Sequence, residues 1–140
     1  QGSQGSSGNG TKRDEKGRII FTDNERKLLD HLVQAQSDGL IRYPIVPQYP
    51  VQYGNREYPI DFAIPHLKLG IEADGETFHG SNKQIAHDKS RDMKLAQLGW
   101  TILRFQDNEI KRQGRQVMSN IIKAIMQKEM ALKNTKENLK

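Results

Sequence analysis

The chain has 140 residues, with 22 Lys and Arg against 17 Asp and Glu, and no cysteine. That length suits one domain with a modest core, and the lack of cysteine excludes disulfides and cysteine-ligated zinc. No apolar run approaches membrane-spanning length, so we expect a cytoplasmic protein without a membrane partner. Its positive charge is concentrated in residues 111–140, which favours phosphate backbones as partners, although a solvated helix face is the competing interpretation.

The amino-terminal part combines an unstructured segment with a first helix. Residues 1–18 are rich in Gly, Ser, Gln and charge, which predicts a flexible linker or a remnant of cloning. A helix is predicted from Thr22 or Asp23 to about Ser37, because either side chain can cap it. Glu25 falls on or beside its buried face. The predicted apolar stripe consists of Leu28, Leu29, Leu32 and Val33.

Three extended segments follow the first helix. Residues 40–53 contain three prolines among apolar residues, which indicates an edge strand because proline cannot donate to a ladder. A Gly-Asn turn signal leads into a strand over 58–64, and a Pro-His pair separates it from a strand over 67–74. These last two strands are therefore predicted to form a hairpin.

Acidic residues alternate with apolar ones in both strands of this hairpin. Asp61 points to one face of its strand, and Glu72 and Asp74 share one face of theirs. Carboxylates gathered on one side of a sheet repel one another unless a cation binds, and oxygen ligands suit Mg²⁺ or Mn²⁺. The predicted apolar faces are Tyr58, Ile60, Phe62 and Ile64 in one strand, and Leu67, Leu69, Ile71 and Ala73 in the other.

The remaining elements complete an α/β pattern. A polar helix is predicted over 83–98, ended by Gly99, and a strand over 100–106. A strand–helix–strand crossover implies that this strand runs parallel to its predecessor. A last helix is predicted over 115–133, before a disordered basic tail at 134–140. The order predicts a mixed β-sheet of about four strands flanked by helices.

A series of motifs resembles a known family. A helical Glu, Ile-Asp-Phe, Ile-Glu-Ala-Asp-Gly, a His, Asp-Lys-Ser-Arg-Asp and Leu-Gly-Trp-Thr-Ile-Leu-Arg-Phe occur in this order over about residues 19–127. They resemble the Vsr-like (very-short-patch-repair-like) branch of the PD-(D/E)XK nucleases. The resemblance implies a restriction-endonuclease-like domain over 19–133 that cleaves DNA phosphodiesters with Mg²⁺ or Mn²⁺ in a bacterial or phage-like cytoplasm. The structural zinc of Vsr enzymes is not expected, because this chain has no cysteine.

The resemblance also implies roles for individual residues. Asp61 matches the first metal-binding Asp of the family. Glu72 and Asp74 match the (D/E)XK strand, with Asp74 where the lysine usually stands. His79 matches the histidine of the Vsr-like pattern, and Glu25 matches the carboxylate of the first helix. These five residues are the expected catalytic set.

Physical chemistry supports a metal site and leaves simpler alternatives open. Asp61 and Glu72 are the predicted primary ligands, and the backbone carbonyl of Ala73 is a third. Asp61 is poorly suited to a mid-strand position, which favours a site over a solvent-facing residue. For Asp74, an exposed position before an Asp-Gly turn is as well supported as contact with the metal. His79 can carry a proton near neutral pH, although outside the family pattern a loop histidine without a role would be favoured.

Basic residues near the predicted site are candidates for nucleic-acid contacts. Arg104 shares the strand face predicted to lie beside Glu72, so it can hold a phosphate or orient a carboxylate. The alternative for the helical residues is ion pairing with Asp88 and Asp92. The candidates are Lys83, Arg91, Lys94 and Arg104.

These observations predict a metal-dependent DNA endonuclease domain of a larger protein. A monomer with one site would nick DNA, whereas double-strand cutting would need a dimer, and we expect target specificity to lie in a separate tethered domain. One alternative is a nuclease fold that only binds nucleic acid, because Asp74 replaces the lysine and the carboxyl-terminal helix is basic. Another is a protein-interaction domain that uses the last helix, which would show no salt-dependent DNA affinity.

Overall fold

The computed structural model of the chain describes residues 12–74 and 82–138, of which 82–86 and 137–138 are described by their backbone only. Four helices flank a four-stranded sheet within these ranges, which confirms the predicted α/β class. A short 3-10 helix, Pro65–Leu67, connects the second and third strands. The elements are α1 (Asp23–Ser37), β1 (Val46–Tyr53), β2 (Arg56–Ile64), β3 (Leu69–Asp74), α2 (Asn82–Gln97), β4 (Thr101–Gln106), α3 (Asp107–Arg112) and α4 (Gly114–Asn138).

The sheet is mixed, with the strands in the order β1-β2-β3-β4. β1 and β3 both pair antiparallel with β2, whereas β4 runs parallel to β3 after the α2 crossover. The predicted hairpin and parallel pairing are both confirmed. β1 carries Pro47 and Pro50 and lies at one edge of the sheet. An edge strand tolerates proline because the missing N–H can face away from the only neighbouring strand. β4 forms the other edge.

Helix α1 begins as its sequence predicts. The hydroxyl of Thr22 accepts from the backbone N–H of Glu25 at 3.2 Å, and the Glu25 carboxylate accepts from the Thr22 N–H at 2.9 Å. This capping box satisfies two donors that a helix terminus otherwise leaves unpaired. Leu28 and Leu32 are fully buried, but Val33 is 51% exposed, so its predicted place in the apolar stripe is wrong. One residue along a helix turns the side chain by about 100°, which takes Val33 off the buried face.

Strand β2 changes the face that it buries. Tyr58 and Ile60 pack with Leu95 of α2, whereas Phe62 joins the core on the opposite side of the sheet with α1 and α4. The prediction that Tyr58, Ile60, Phe62 and Ile64 share one face is therefore wrong. The change falls at Asp61, the residue after which β2 pairs with β3 in the register Phe62↔Ile71. A strand irregularity of this kind re-aims a side chain.

Strand β3 keeps the predicted alternation. Leu69 and Ile71 are fully buried in the core shared with α1 and α4, and Ala73 packs against that core. Gly70 lies on the opposite face, where an added Cβ would meet the side chain of Ile102 at 2.6 Å. Glu72 shares the face of Gly70, so its carboxylate is directed toward α2 and β4.

The carboxyl-terminal region contains a helix that the sequence did not predict. Helix α3 spans six residues and buries only Ile110, so it lacks the apolar repeat by which helices are recognised. The Glu109 carboxylate closes its first turn by accepting from the Gln106 N–H at 2.9 Å. Helix α4 then continues to Asn138, past the predicted end at Lys133 and into the segment expected to be disordered.

Candidate active site

Asp61 lies where β2 and β3 separate. The antiparallel register places Phe62 opposite Ile71, and one further step would place Asp61 opposite Glu72. Instead of a continued ladder, the Asp61 Oδ2 accepts from the Ala73 N–H at 3.0 Å. The side chain of Asp61 thus replaces a backbone acceptor and is fixed beside the Glu72–Ala73 peptide.

The environment of Asp61 disfavours its charge. Burial, followed by the negative charges of Glu72 and Glu25, raises the pKa of Asp61 to about 7, and the Ala73 N–H and Arg91 only partly oppose this. Within the part of the chain that the structure describes, no Lys, Arg or His forms an ion pair with Asp61. Among the described residues, Asp61 is thus a carboxylate without a compensating cation, and the charges of Glu72 and Glu25 act on it.

Glu72 differs from Asp61 because two arginines compensate its charge. Glu72 is 8% exposed and Arg91 is 7% exposed. Arg91 Nη2 donates to Glu72 Oε2 at 2.5 Å, and Arg91 Nη1 lies 3.4 Å from Oε1. Arg104 Nη2 donates to the same Oε1 at 3.0 Å. Both oxygens of Glu72 are therefore hydrogen-bonded, as a buried carboxylate requires.

Arg104 links Glu72 to α2. The parallel register places Arg104 directly beside Glu72 on neighbouring strands. Its guanidinium also donates to both oxygens of Asp92, at 3.1 and 3.2 Å. The hydrogen bond to Asp92, and then the charge of Glu72, raise the pKa of Arg104 above its already high ordinary value. The sequence analysis paired Asp92 only with residues of its own helix and missed its contact with Arg104. The signal that could have found it is the pairing of Arg104 with Glu72 on neighbouring strands, which directs the Arg104 side chain toward α2.

The structure brings Glu25 to the acidic group. Glu25 is half-buried at the start of α1, and its negative charge contributes to the raised pKa of Asp61. One of its oxygens also closes the capping box on Thr22, so α1 holds the side chain in place. Asp61, Glu72 and Glu25 of the sequence-based hypothesis thus come from three different elements, and the charges of Glu72 and Glu25 both act on Asp61.

Other predicted residues lie around this group or outside the described part of the chain. Asp74 ends β3 opposite Gln106, and it is half-buried. His79 lies outside the described residues. Lys83 is in the first turn of α2, where only the backbone is described. Lys94 packs on the hairpin, with its Nζ 3.3 Å from the Tyr58 hydroxyl.

Arg91, a predicted nucleic-acid contact, is buried and does not lie on the surface where it could meet a phosphate. Its Nη2 donates to the Pro59 carbonyl at 2.9 Å as well as to Glu72, and the side chain is only 9% exposed. Its Nη1 also lies 3.6 Å from Asp92. These contacts suit a residue that holds β2, β3 and α2 together at the site.

The oxygen donors at this site fit a hard divalent cation. No cluster of three or more His, Asp or Glu side chains with metal-site geometry occurs within 12–74 and the described part of 82–138. Mg²⁺, however, usually binds through one or two carboxylates and keeps several waters. The predicted ligands Asp61, Glu72 and the Ala73 carbonyl are oxygen donors of this kind, and the lack of an ion pair between Asp61 and any described cation favours a metal there. Glu72 would have to share an oxygen that an arginine holds here.

Comparisons with known proteins identify the family. Residues 42–125, more than half of the chain, match the family model REase_MTES_1575, which is restriction-endonuclease-like. The chain belongs to this family. The matched region contains all four strands, α2 and the Asp61–Glu72–Arg104 group, so the family assignment rests on the part of the molecule that forms the site.

Relatives with detectable sequence identity occur in bacteria. A Haemophilus influenzae protein is 33% identical over 107 residues, covering 76% of this chain and 82% of that protein. YcjD of Escherichia coli K12 is 32% identical over 108 residues, covering 77% and 84%. Two Mycobacterium tuberculosis proteins are 29% identical over 85 residues. The match spans only 31% of the length of each mycobacterial protein.

A solved structure shares the fold. The catalytic domain of the homing endonuclease I-Bth0305I superposes with a TM-score of 0.56 at 19% identity, covering 77% of this chain and 98% of that domain. At this identity the likeness establishes the restriction-endonuclease-like fold. Among the described residues, no helix is both long and apolar enough to cross a membrane.

Proposed function

We propose that this chain is a metal-dependent DNA endonuclease domain of the Vsr-like kind. The observation that carries the proposal is the buried Asp61, whose pKa is raised to about 7 beside Glu72 and Glu25. Perturbed carboxylates of this kind concentrate at functional sites. The family, and the endonuclease that shares the fold, support nuclease chemistry. The position of Asp74 in place of the usual lysine supports the Vsr-like branch.

Each residue of the site has a distinct part in this proposal. Asp61, Glu72 and the Ala73 carbonyl would hold Mg²⁺ or Mn²⁺, with Asp74 and Glu25 completing the acidic surroundings. A bound cation of this type polarises a phosphoryl oxygen and lowers the pKa of an attacking water. His79 would move the proton as the water oxygen bonds to phosphorus and the bond to the leaving oxygen breaks. Of the predicted nucleic-acid contacts, Lys83, Lys94 and the partly exposed Arg104 would lie toward the DNA, whereas Arg91 is buried in its ion pair with Glu72.

The test is cleavage of supercoiled plasmid with Mg²⁺, Mn²⁺ or EDTA. We expect nicking by the wild-type chain that EDTA abolishes. Asp61→Asn should lower the rate more than about a hundredfold, because even outer-shell partners of a metal ligand contribute about 10–100-fold. Asp30→Asn makes the same chemical change on an exposed residue of α1 and should cleave normally. Equal cleavage by the two variants would contradict the site.

A second candidate is a nuclease fold that binds nucleic acid without cleaving it. The observation that favours it is the full engagement of both Glu72 oxygens by Arg91 and Arg104. This candidate predicts DNA binding that weakens linearly with the logarithm of salt concentration and needs no divalent ion. Absence of nicking with either metal, together with such binding, would favour it. We further propose that the domain belongs to a longer protein, in which a tethered domain recognises the DNA target, and that it can dimerise on DNA.

A further inference from the structure

The two oxygens of Glu72 are held by partners that differ in solvent exposure. Arg91 reaches Oε2 from the interior, where its Nη2 also satisfies the Pro59 carbonyl at 2.9 Å. Its side chain is 9% exposed. Displacing Arg91 would remove the donor from the partly buried Pro59 carbonyl and part a buried guanidinium from its closest carboxylate, which is costly. The Oε2 contact is therefore a fixed part of the fold.

The contact at Oε1 can be given up at lower cost. Arg104 is 33% exposed, and its guanidinium makes three hydrogen bonds to carboxylates, of which only one goes to Glu72. The other two form a fork on Asp92, a geometry in which arginine binds carboxylates strongly. Moving away from Oε1 thus leaves Arg104 charged, paired and partly hydrated.

We propose that Arg104 is the counter-ion of Glu72 in the metal-free protein and that a divalent cation displaces it from Oε1. Arg104 is then a positioning residue, which keeps Glu72 in place before the metal binds and lowers the affinity of the site by competing for the same oxygen. This inference rests on the proposed metal-dependent function. Asp92 receives the displaced guanidinium, and Arg91 keeps Glu72 oriented throughout.

Competition and simple structural support predict opposite results when Arg104 is removed. If Arg104 competes with the cation, its loss leaves Oε1 with only the longer, 3.4 Å contact from Arg91 Nη1 and removes a like charge next to the metal, so metal binding tightens. If Arg104 only supports the fold around Glu72, its loss loosens the ligand and weakens metal binding. The direction of the change in metal affinity therefore distinguishes the two roles.

The experiment is a titration of the full chain with Mn²⁺, followed by electron paramagnetic resonance of the free ion, without DNA. We expect Arg104→Gln to lower the Kd for Mn²⁺ by about tenfold, as removal of a nearby like charge at a partly exposed site would do. Lys133→Gln removes the same formal charge from the exposed surface of α4 and should leave the Kd unchanged. An Arg104→Gln variant that binds Mn²⁺ no more tightly than the wild type would overturn the inference.

Two further variants keep the result interpretable. Arg104→Lys retains the charge but cannot fork on Asp92 while reaching Glu72, so it should tighten Mn²⁺ binding less than glutamine does. If Arg104→Gln does not fold, the Mn²⁺ affinity of Arg104→Lys is the test. Binding of Mn²⁺ no tighter than in the wild type would then overturn the proposed displacement of Arg104 by the cation. Asp61→Asn should lose Mn²⁺ binding. A wild type that binds no Mn²⁺, or an Asp61→Asn variant that binds it equally well, would refute the proposed site itself and the inference with it.

Discussion

The two faces of the sheet are built from different chemistry. The face covered by α1, α3 and α4 holds a large apolar cluster that includes the fully buried Leu28, Leu32, Phe62 and Ile121. The face covered by α2 has a smaller cluster, beside which the buried Glu72 and Arg91 form an ion pair. Hydrophobic burial stabilises the first face, whereas desolvation of charge opposes stability on the second.

The apolar face therefore contributes most of the stability of the sheet, whereas the charged groups lie on the α2 face. A buried ion pair contributes little net stability compared with apolar residues of similar volume, so the α2 face is not the arrangement that stability alone would favour. Asp61 lies at the point where β2 changes the face that it buries. The negative charges of Glu72 and of Glu25 in α1 act on its carboxylate. We infer that the large apolar face compensates for the desolvation cost of the polar face, where the proposed site lies.

The largest expected loss of stability is on the apolar face. Leu32→Ala should lower the free energy of unfolding by about 3–5 kcal/mol, since a fully buried leucine leaves a cavity that its neighbours only partly fill. The next residue of the same helix is the matched control. Val33 is 51% exposed, so Val33→Ala should change stability by less than about 0.5 kcal/mol. Urea denaturation of both variants checks this, and equal losses would contradict the assigned burial.

The next effect is on the ionic face and should be reversible by a second substitution. Arg91→Met leaves Glu72 Oε2 and the Pro59 carbonyl without their donor, which should cost about 2–4 kcal/mol. Adding Glu72→Leu removes the stranded carboxylate, and the double variant should recover most of the loss while losing cleavage. Arg112→Met is the exposed control. A double variant less stable than Arg91→Met would show that the pair itself stabilises the fold.

Most of the fold could be predicted from the sequence because its signals are local. The prolines of β1, the cap at Thr22 and the alternation in β3 each determine an element without reference to distant residues. Helix α3 was missed because its stability depends on Ile110 packing into the core and on the capping box at its start. The face switch in β2 was missed because apolar residues alternate without a break from Tyr58 to Ile64, so the sequence pattern does not record it.

The acidic group was predictable, whereas its charge compensation was not. Alternation placed Glu72 and Asp61 near one another, and α1 periodicity placed Glu25 on the inner face. The division of cations between the two main carboxylates, with two arginines on Glu72 and none of the described cations paired with Asp61, depends on side-chain directions across three elements. Sequence spacing alone does not contain this information.

The smallest expected effect concerns the pH dependence of stability in metal-free protein. The pKa of Asp61 is raised to about 7, above the value of about 3.9 for an unfolded aspartate, so folding favours its protonated form. The stability that protonation contributes is complete below about pH 4 and is lost as the pH rises through about 7. Relative to Asp61→Asn, the wild type should therefore lose about 1–3 kcal/mol over this interval.

Urea denaturation in EDTA from pH 4.5 to 8 measures this difference, because other titrating groups are common to both proteins. Asp61→Asn should be the more stable protein at pH 8, and Asp30→Asn should follow the wild type at every pH. Adding Mg²⁺ at pH 8 should stabilise the wild type and leave Asp61→Asn unchanged, since a ligand stabilises only the state that binds it. Parallel pH profiles for wild type and Asp61→Asn would mean that Asp61 is an ordinary ionised carboxylate. In that case the contrast between an apolar supporting face and an acidic site whose charge is disfavoured would no longer hold.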